Sequence, residues 1–138
     1  MLSEFSVAPT LPVENLARAR RFYEDKLGLK FLDTSSAGVL YECGNNTNLL
    51  LYEAKATKSK HIAAIFEVEN LQSEVRALKK KGVVFGESAT QDISALDELT
   101  SLSTGNVACF QDSEGNILAV VQMGMLLEVK GELSRFRQ

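Results

Sequence analysis

The stretch Val13-Glu14-Asn15-Leu16 recurs letter for letter as Val68-Glu69-Asn70-Leu71, 55 positions later. Four matching residues could be chance, so the flanking sequence has to decide. Each copy follows a strand-like run, Ser6 to Leu11 in the first and His61 to Phe66 in the second. Each opens a helix, because asparagine is a good N-cap: its side chain accepts a bond from a backbone N–H that the first turn leaves without a partner. Leu16, Ala19, Tyr23 and Leu27 share one face of the first helix, as Leu71, Val75 and Leu78 do in the second. Both helices reach a glycine, Gly28 and Gly82, suited to the left-handed position after a helix end.

The parallel continues downstream. After Gly28 come β-rich runs at Leu29 to Leu32 and Val39 to Cys43, a Gly44-Asn45 turn, and Asn48 to Tyr52. After Gly82 come Val83 to Phe85, Val107 to Gln111, a Gly115-Asn116 turn, and Ile117 to Gln122. Each half therefore reads strand, helix, three strands. The expected class is α+β, a single domain over 1–138. Module one covers about 4–55, module two about 60–122, and an amphipathic extension 123–138 carries Leu126, Leu127, Val129, Leu133 and Phe136. The second half is longer because of Gly86 to Asn106, a polar stretch expected to form a surface excursion or a lid.

Composition narrows the function classes. The chain has 138 residues, 45% apolar and 24% charged, which is enough to bury a core without staples. A net charge of −3 opposes nucleic-acid binding, and the basic run Lys79-Lys80-Lys81 sits where it complements a helix C-terminus. No apolar stretch reaches membrane-spanning length, and the first residues show no signal-peptide pattern. With two cysteines, Cys43 and Cys109, both in apolar strands, the expectation is a cytoplasmic protein with reduced thiols. Cys109 reads as packing rather than as a nucleophile. There is no glycine-rich phosphate loop, no CxxC and no histidine pair.

The order of these motifs resembles the vicinal oxygen chelate superfamily, the glyoxalase/bleomycin resistance/dioxygenase group. The residues that carry the resemblance are Leu11-Pro-Val-Glu-Asn-Leu16, Arg21-Phe-Tyr-Glu-Asp-Lys-Leu-Gly28, Phe66-Glu-Val-Glu-Asn-Leu71, Lys81-Gly-Val-Val-Phe85 and Asp112-Ser-Glu-Gly-Asn116. The resemblance implies two βαβββ modules forming one curved mixed sheet around a cleft, with helices outside and commonly a homodimer. It also implies a divalent metal held by residues of the first, fourth, fifth and eighth strands. Counted from the landmarks, those positions are Ala8, Leu49, Ala63 and Ala119, none of which can coordinate a metal. The chain has one histidine, His61, so no site with two imidazoles is possible. The expectation is no metal and no cofactor.

A metal-free cleft would be lined by Thr10, Tyr41, Leu49, Leu51, His61, Ala63, Gln111 and Ala119, with Thr10, Tyr41 and Gln111 supplying the polar contacts of a mostly apolar pocket. The weak catalytic candidates are His61 and Glu53, each otherwise a solvated strand-end residue. Phe22 and Tyr23 read as core packing without chemistry. Three functions follow from the resemblance: a metal-independent small-molecule-binding protein, a glyoxalase-like lyase or isomerase working by metal-free acid/base chemistry, and a non-catalytic dimeric scaffold. The first is the expectation.

Overall fold

The structure is a computed structural model that describes residues 1–55, 61–85 and 107–124. The 86–106 stretch and nearly all of the extension lie outside the described residues. Contacts divide the chain into two compact units, Met1–Ser59 with Asp112–Asn116, and Lys60–Gln111 with Ile117–Gln138.

Unit one contains β1 (Thr10–Val13), α1 (Leu16–Arg21), a wider π turn (Phe22–Lys26), β2 (Lys30–Ser35), β3 (Gly38–Cys43) and β4 (Thr47–Glu53). They form a four-stranded sheet ordered β1-β4-β3-β2, with β1 parallel to β4 and the other pairs antiparallel. Unit two repeats the plan with β5 (Ile62–Val68), α2 (Leu71–Lys80), β6 (Val107–Gln111) and β7 (Ile117–Gln122) in the order β5-β7-β6, with β5 parallel to β7. The strands are thus hydrogen-bonded in two sheets, one per module. Where the sequence suggested a strand over Val83 to Phe85, a single bridge joins Phe85 to Phe110.

The caps form as the sequence predicts. Asn15 Oδ1 accepts from the Arg18 N–H and Asn70 Oδ1 from the Ser73 N–H, both at 3.0 Å. Gly28 and Gly82 lie at φ +71° and +94°. Pro12 fits β1 because that strand is at the sheet edge, where a missing N–H breaks no ladder. The first helix departs from the expected continuous α-helix. Its last turn widens, with the Leu27 N–H bonded to the Phe22 carbonyl at 3.1 Å. The widening lets the adjacent Phe22 and Tyr23 both turn inward, so both are buried. Tyr23 stacks on Tyr41 with ring centres 6.1 Å apart. These rings, with Ala19, cover one face of the sheet, where Leu11, Val13, Val39, Tyr41, Leu49 and Leu51 are at most 2% exposed.

The Asp112–Asn116 turn joins β6 to β7 but packs as part of unit one. Asp112 accepts from its own turn, through Glu114 N and Asn116 N at 2.8 Å, and from the Tyr23 hydroxyl at 2.6 Å. Burial and Asp112 push the Tyr23 phenol far above its ordinary value, so it stays a donor. Asn116 Nδ2 donates to the Pro12 carbonyl at 2.9 Å, tying the turn to β1. Glu114 accepts from the backbone N–H groups of Glu14 and Asn15, ahead of α1, and from Arg18 at 2.7 and 2.9 Å. The Arg18 hydrogen bonds, helped by Asn15 and Ser113, outweigh burial and hold the Glu114 carboxyl down to about 2. Tyr23 is therefore more than the packing residue its helical spacing suggests.

Because the folded state lowers the Glu114 pKa from 4.5, its stabilising contribution is complete above that value and is lost as pH falls toward 2. Glu114→Gln should therefore lower stability at neutral pH by about 1–3 kcal/mol and flatten the acid limb of a denaturation series; an unchanged acid limb would assign that limb elsewhere. At Gly38, with φ +139°, an added Cβ would sit 2.0 Å from the Leu51 carbonyl oxygen, whereas at Gly28 it would meet nothing within 4 Å. Gly38→Ala should lower stability by at least about 2 kcal/mol and Gly28→Ala by only about 1–2 kcal/mol, measured as denaturant midpoints.

Candidate functional site

Helix and rings seal one face of the unit-one sheet, and the other is left uncovered by the described residues of unit one. Ladder register says which side chains that face carries, since paired residues share a face and neighbours along a strand alternate. One row runs Thr10, Leu50, Leu40, Asp33 across β1, β4, β3 and β2. The row beside it holds Pro12 and Tyr52, with Gly38 and Ser35 paired on the far strands. The third holds Asn48, Glu42 and Lys30. Lys30 Nζ lies 3.2 Å from Glu42 Oε2, as their shared face requires. Pro12, Leu40, Leu50 and Tyr52 are half-buried, and Thr10 is exposed. The result is an apolar centre with a polar rim.

This register corrects the expected lining. Tyr41, Leu49 and Leu51 are on the sealed face and fully buried. The Tyr41 hydroxyl donates to Glu24 Oε2 at 2.9 Å, and Glu24 is also held by Arg20 at 2.8 Å. The Arg20 hydrogen bond draws the Glu24 carboxyl below its usual range, while burial pushes the Tyr41 phenol well above its own. That hydroxyl is committed to the helix. Of the unit-one candidates Thr10 alone faces outward on the open side. Glu53 pairs with Val13, in the phase of the sealed face, and is exposed at the strand end. The open face instead carries Tyr52, Leu50, Leu40 and Pro12, which spacing did not single out.

In unit two, Ala63, Ile65 and Glu67 of β5 are exposed and alternate with half-buried neighbours. Ile65 pairs with Ala119, which pairs with Cys109, so these three share a face with the exposed Gln111 one step beyond Cys109. Ala119 and Cys109 are buried. His61, exposed, precedes β5. His61 and Glu53, the acid/base candidates, belong to different units. Burial pushes the Cys109 thiol up to about 11, so it is not a thiolate at neutral pH. A surface depression lined by Ala17, Arg20, Arg21, Glu24 and Asp25 lies along the helical segment, but its Arg20 and Glu24 neutralise each other.

The donor set does not fit a metal. Val13 pairs with Glu53 and Val68 with Gln122, so the two ladders align Leu50, not Leu49, with Ala119. The four positions the resemblance assigns to ligands are thus Ala8, Leu50, Ala63 and Ala119, all aliphatic. Among the described residues, no group of three or more His, Cys, Asp or Glu side chains could hold a metal ion. No described helix is long and apolar enough to cross a membrane.

Comparison with solved structures gives the same fold at low identity. TnmS3, an antibiotic binding protein from Streptomyces sp. CB03234, matches with a TM-score of 0.62 at 20% identity, over 86% of this chain and 96% of that one. A glyoxalase/bleomycin resistance protein from the same source matches at 0.60 and 21%, over 85% and 100%. The fosfomycin resistance protein FosX from Listeria monocytogenes matches at 0.60 and 13%, over 88% and 93%. No curated protein matches the chain significantly. The sequence model of one family covers residues 6–120, both modules with their caps and the Asp112–Asn116 turn, so the chain belongs to the Glyoxalase/Bleomycin resistance protein/Dioxygenase superfamily.

Proposed function

We propose that this protein binds a small organic molecule without the help of a metal, on the open face of the unit-one sheet. The observation that carries the reading is the half-buried patch of Pro12, Leu40, Leu50 and Tyr52, in a chain whose four inherited ligand positions are aliphatic. An apolar patch with a few polar neighbours favours burying a hydrocarbon or aromatic ligand, and Thr10 and Asn48 supply orienting contacts. The Tyr52 hydroxyl has no hydrogen-bond partner among the described residues, so it is available to a ligand. On unit two, taken by itself, the earlier candidates His61, Ala63 and Gln111 are exposed and Ala119 is buried. The antibiotic-binding protein among the structural neighbours supports the general class of activity.

The reading extends to a homodimer in a reducing compartment. It is supported by the exposed apolar Leu2, Phe5 and Val7 and by the free thiols of Cys43 and Cys109.

A thermal-shift screen against small organic molecules is expected to find compounds that raise the melting temperature. For such a compound, Tyr52→Ala should weaken binding about tenfold or more with little loss of fold stability. Tyr41→Phe should leave affinity unchanged and act on stability alone. A ligand indifferent to Tyr52, or one ion of nickel, zinc, iron or manganese retained per chain through dialysis and required for binding, would overturn the proposal.

A further inference from the structure

Charge on the open face narrows the ligand class. Three charged side chains belong to its rows, and Lys30 and Glu42 are paired with each other at 3.2 Å. Asp33 is the remaining charge. Its Oδ1 accepts from the Thr34 N–H at 2.8 Å, and it has no ion pair among the described residues. No unpaired cation belongs to these rows, so the face carries one uncompensated negative charge, at one edge. The aromatic ring lies toward the other side of the sheet. Tyr52 stands on β4, beside Gly38 of β3, which contributes no side chain to this row. Between ring and carboxylate runs the apolar pair Leu50 and Leu40. At about 4.8 Å per strand, Asp33 on β2 is about 10 Å across the sheet from the strand that carries Tyr52.

We infer that the preferred ligand is a flat, largely apolar organic cation, two or three fused rings in extent, with its ring system along Tyr52, Leu50 and Leu40 and its ammonium group at Asp33. The inference rests on the proposed use of this face for small molecules, and it adds the sign of the charge, the length and the direction of the ligand. The contact with Asp33 is solvent-exposed, so it contributes selectivity more than affinity and weakens with added salt.

The test uses three matched probes, naphthalen-2-ylmethylammonium, naphthalen-2-ylmethanol and 2-naphthoate, titrated into ¹⁵N-labelled full-length protein and followed by amide shifts. The ammonium probe is expected to bind about three- to fivefold more tightly than the alcohol, with the naphthoate weakest, and shifts should centre on Leu40, Leu50, Tyr52 and Asp33. Asp33→Asn should bring the ammonium probe to the affinity of the alcohol while leaving the alcohol unchanged. If the probes shift these residues without regard to charge, the cation inference falls while the site stands. If no probe shifts them, both fall.

Discussion

Two buried carboxylates in one five-residue turn hold unit one in its shape. A carboxylate removed from water is tolerated only when its lone pairs are filled, and Asp112 and Glu114 are filled from different parts of the chain. Asp112 takes the turn's own N–H groups and the Tyr23 hydroxyl. Glu114 takes Arg18 and the two N–H groups at the entry to α1. One turn therefore fixes where β1 ends, where α1 begins and how far the aromatic pair reaches over the sheet. Those three placements decide which sheet face is sealed, and hence which face can meet a ligand.

The parts of this arrangement that obey local rules were legible in the sequence. Asn15 and Asn70 cap and Gly28 and Gly82 terminate because each satisfies a requirement of a few neighbouring residues. The turn Asp112-Ser-Glu-Gly-Asn116 could be read as a turn, but not its anchoring role, because its partners lie about a hundred positions away. The widened helical turn was hidden too. A regular helix could bury Tyr23 with Ala19 and Leu27, and only the packing of Phe22 beside it called for the extra width.

The phase of β4 was misread, and the cause is specific. Leu49-Leu50-Leu51 is a continuous apolar run, so alternation cannot set the phase of β4. A one-residue error there moves a whole strand's side chains to the other face, exchanging Leu49 and Leu51 for Leu50 and Tyr52. Tyr41 went astray likewise: an aromatic with a polar tip suits a cleft, but its hydroxyl had a closer acceptor in Glu24. The correction comes from the two ladders. Val13 and Val68 occupy equivalent ladder positions, and counting from them aligns Leu50 with Ala119.

The corrected register also bears on why binding, rather than catalysis, is the proposed activity. Stabilising charge that develops in a reaction requires fixed cations or aligned donors at the reacting atoms. At the positions where the family resemblance places such groups, this chain presents Ala8, Leu50, Ala63 and Ala119. Its open unit-one face offers an aromatic ring, aliphatic surface, one internally paired cation and one unpaired carboxylate. In the proposed reading such a surface discriminates ligands by shape and by sign of charge. Within unit one, Leu50 on β4 and Leu40 opposite it put aliphatic surface on the same face as Tyr52, and in the proposed reading it is this surface that holds the ligand.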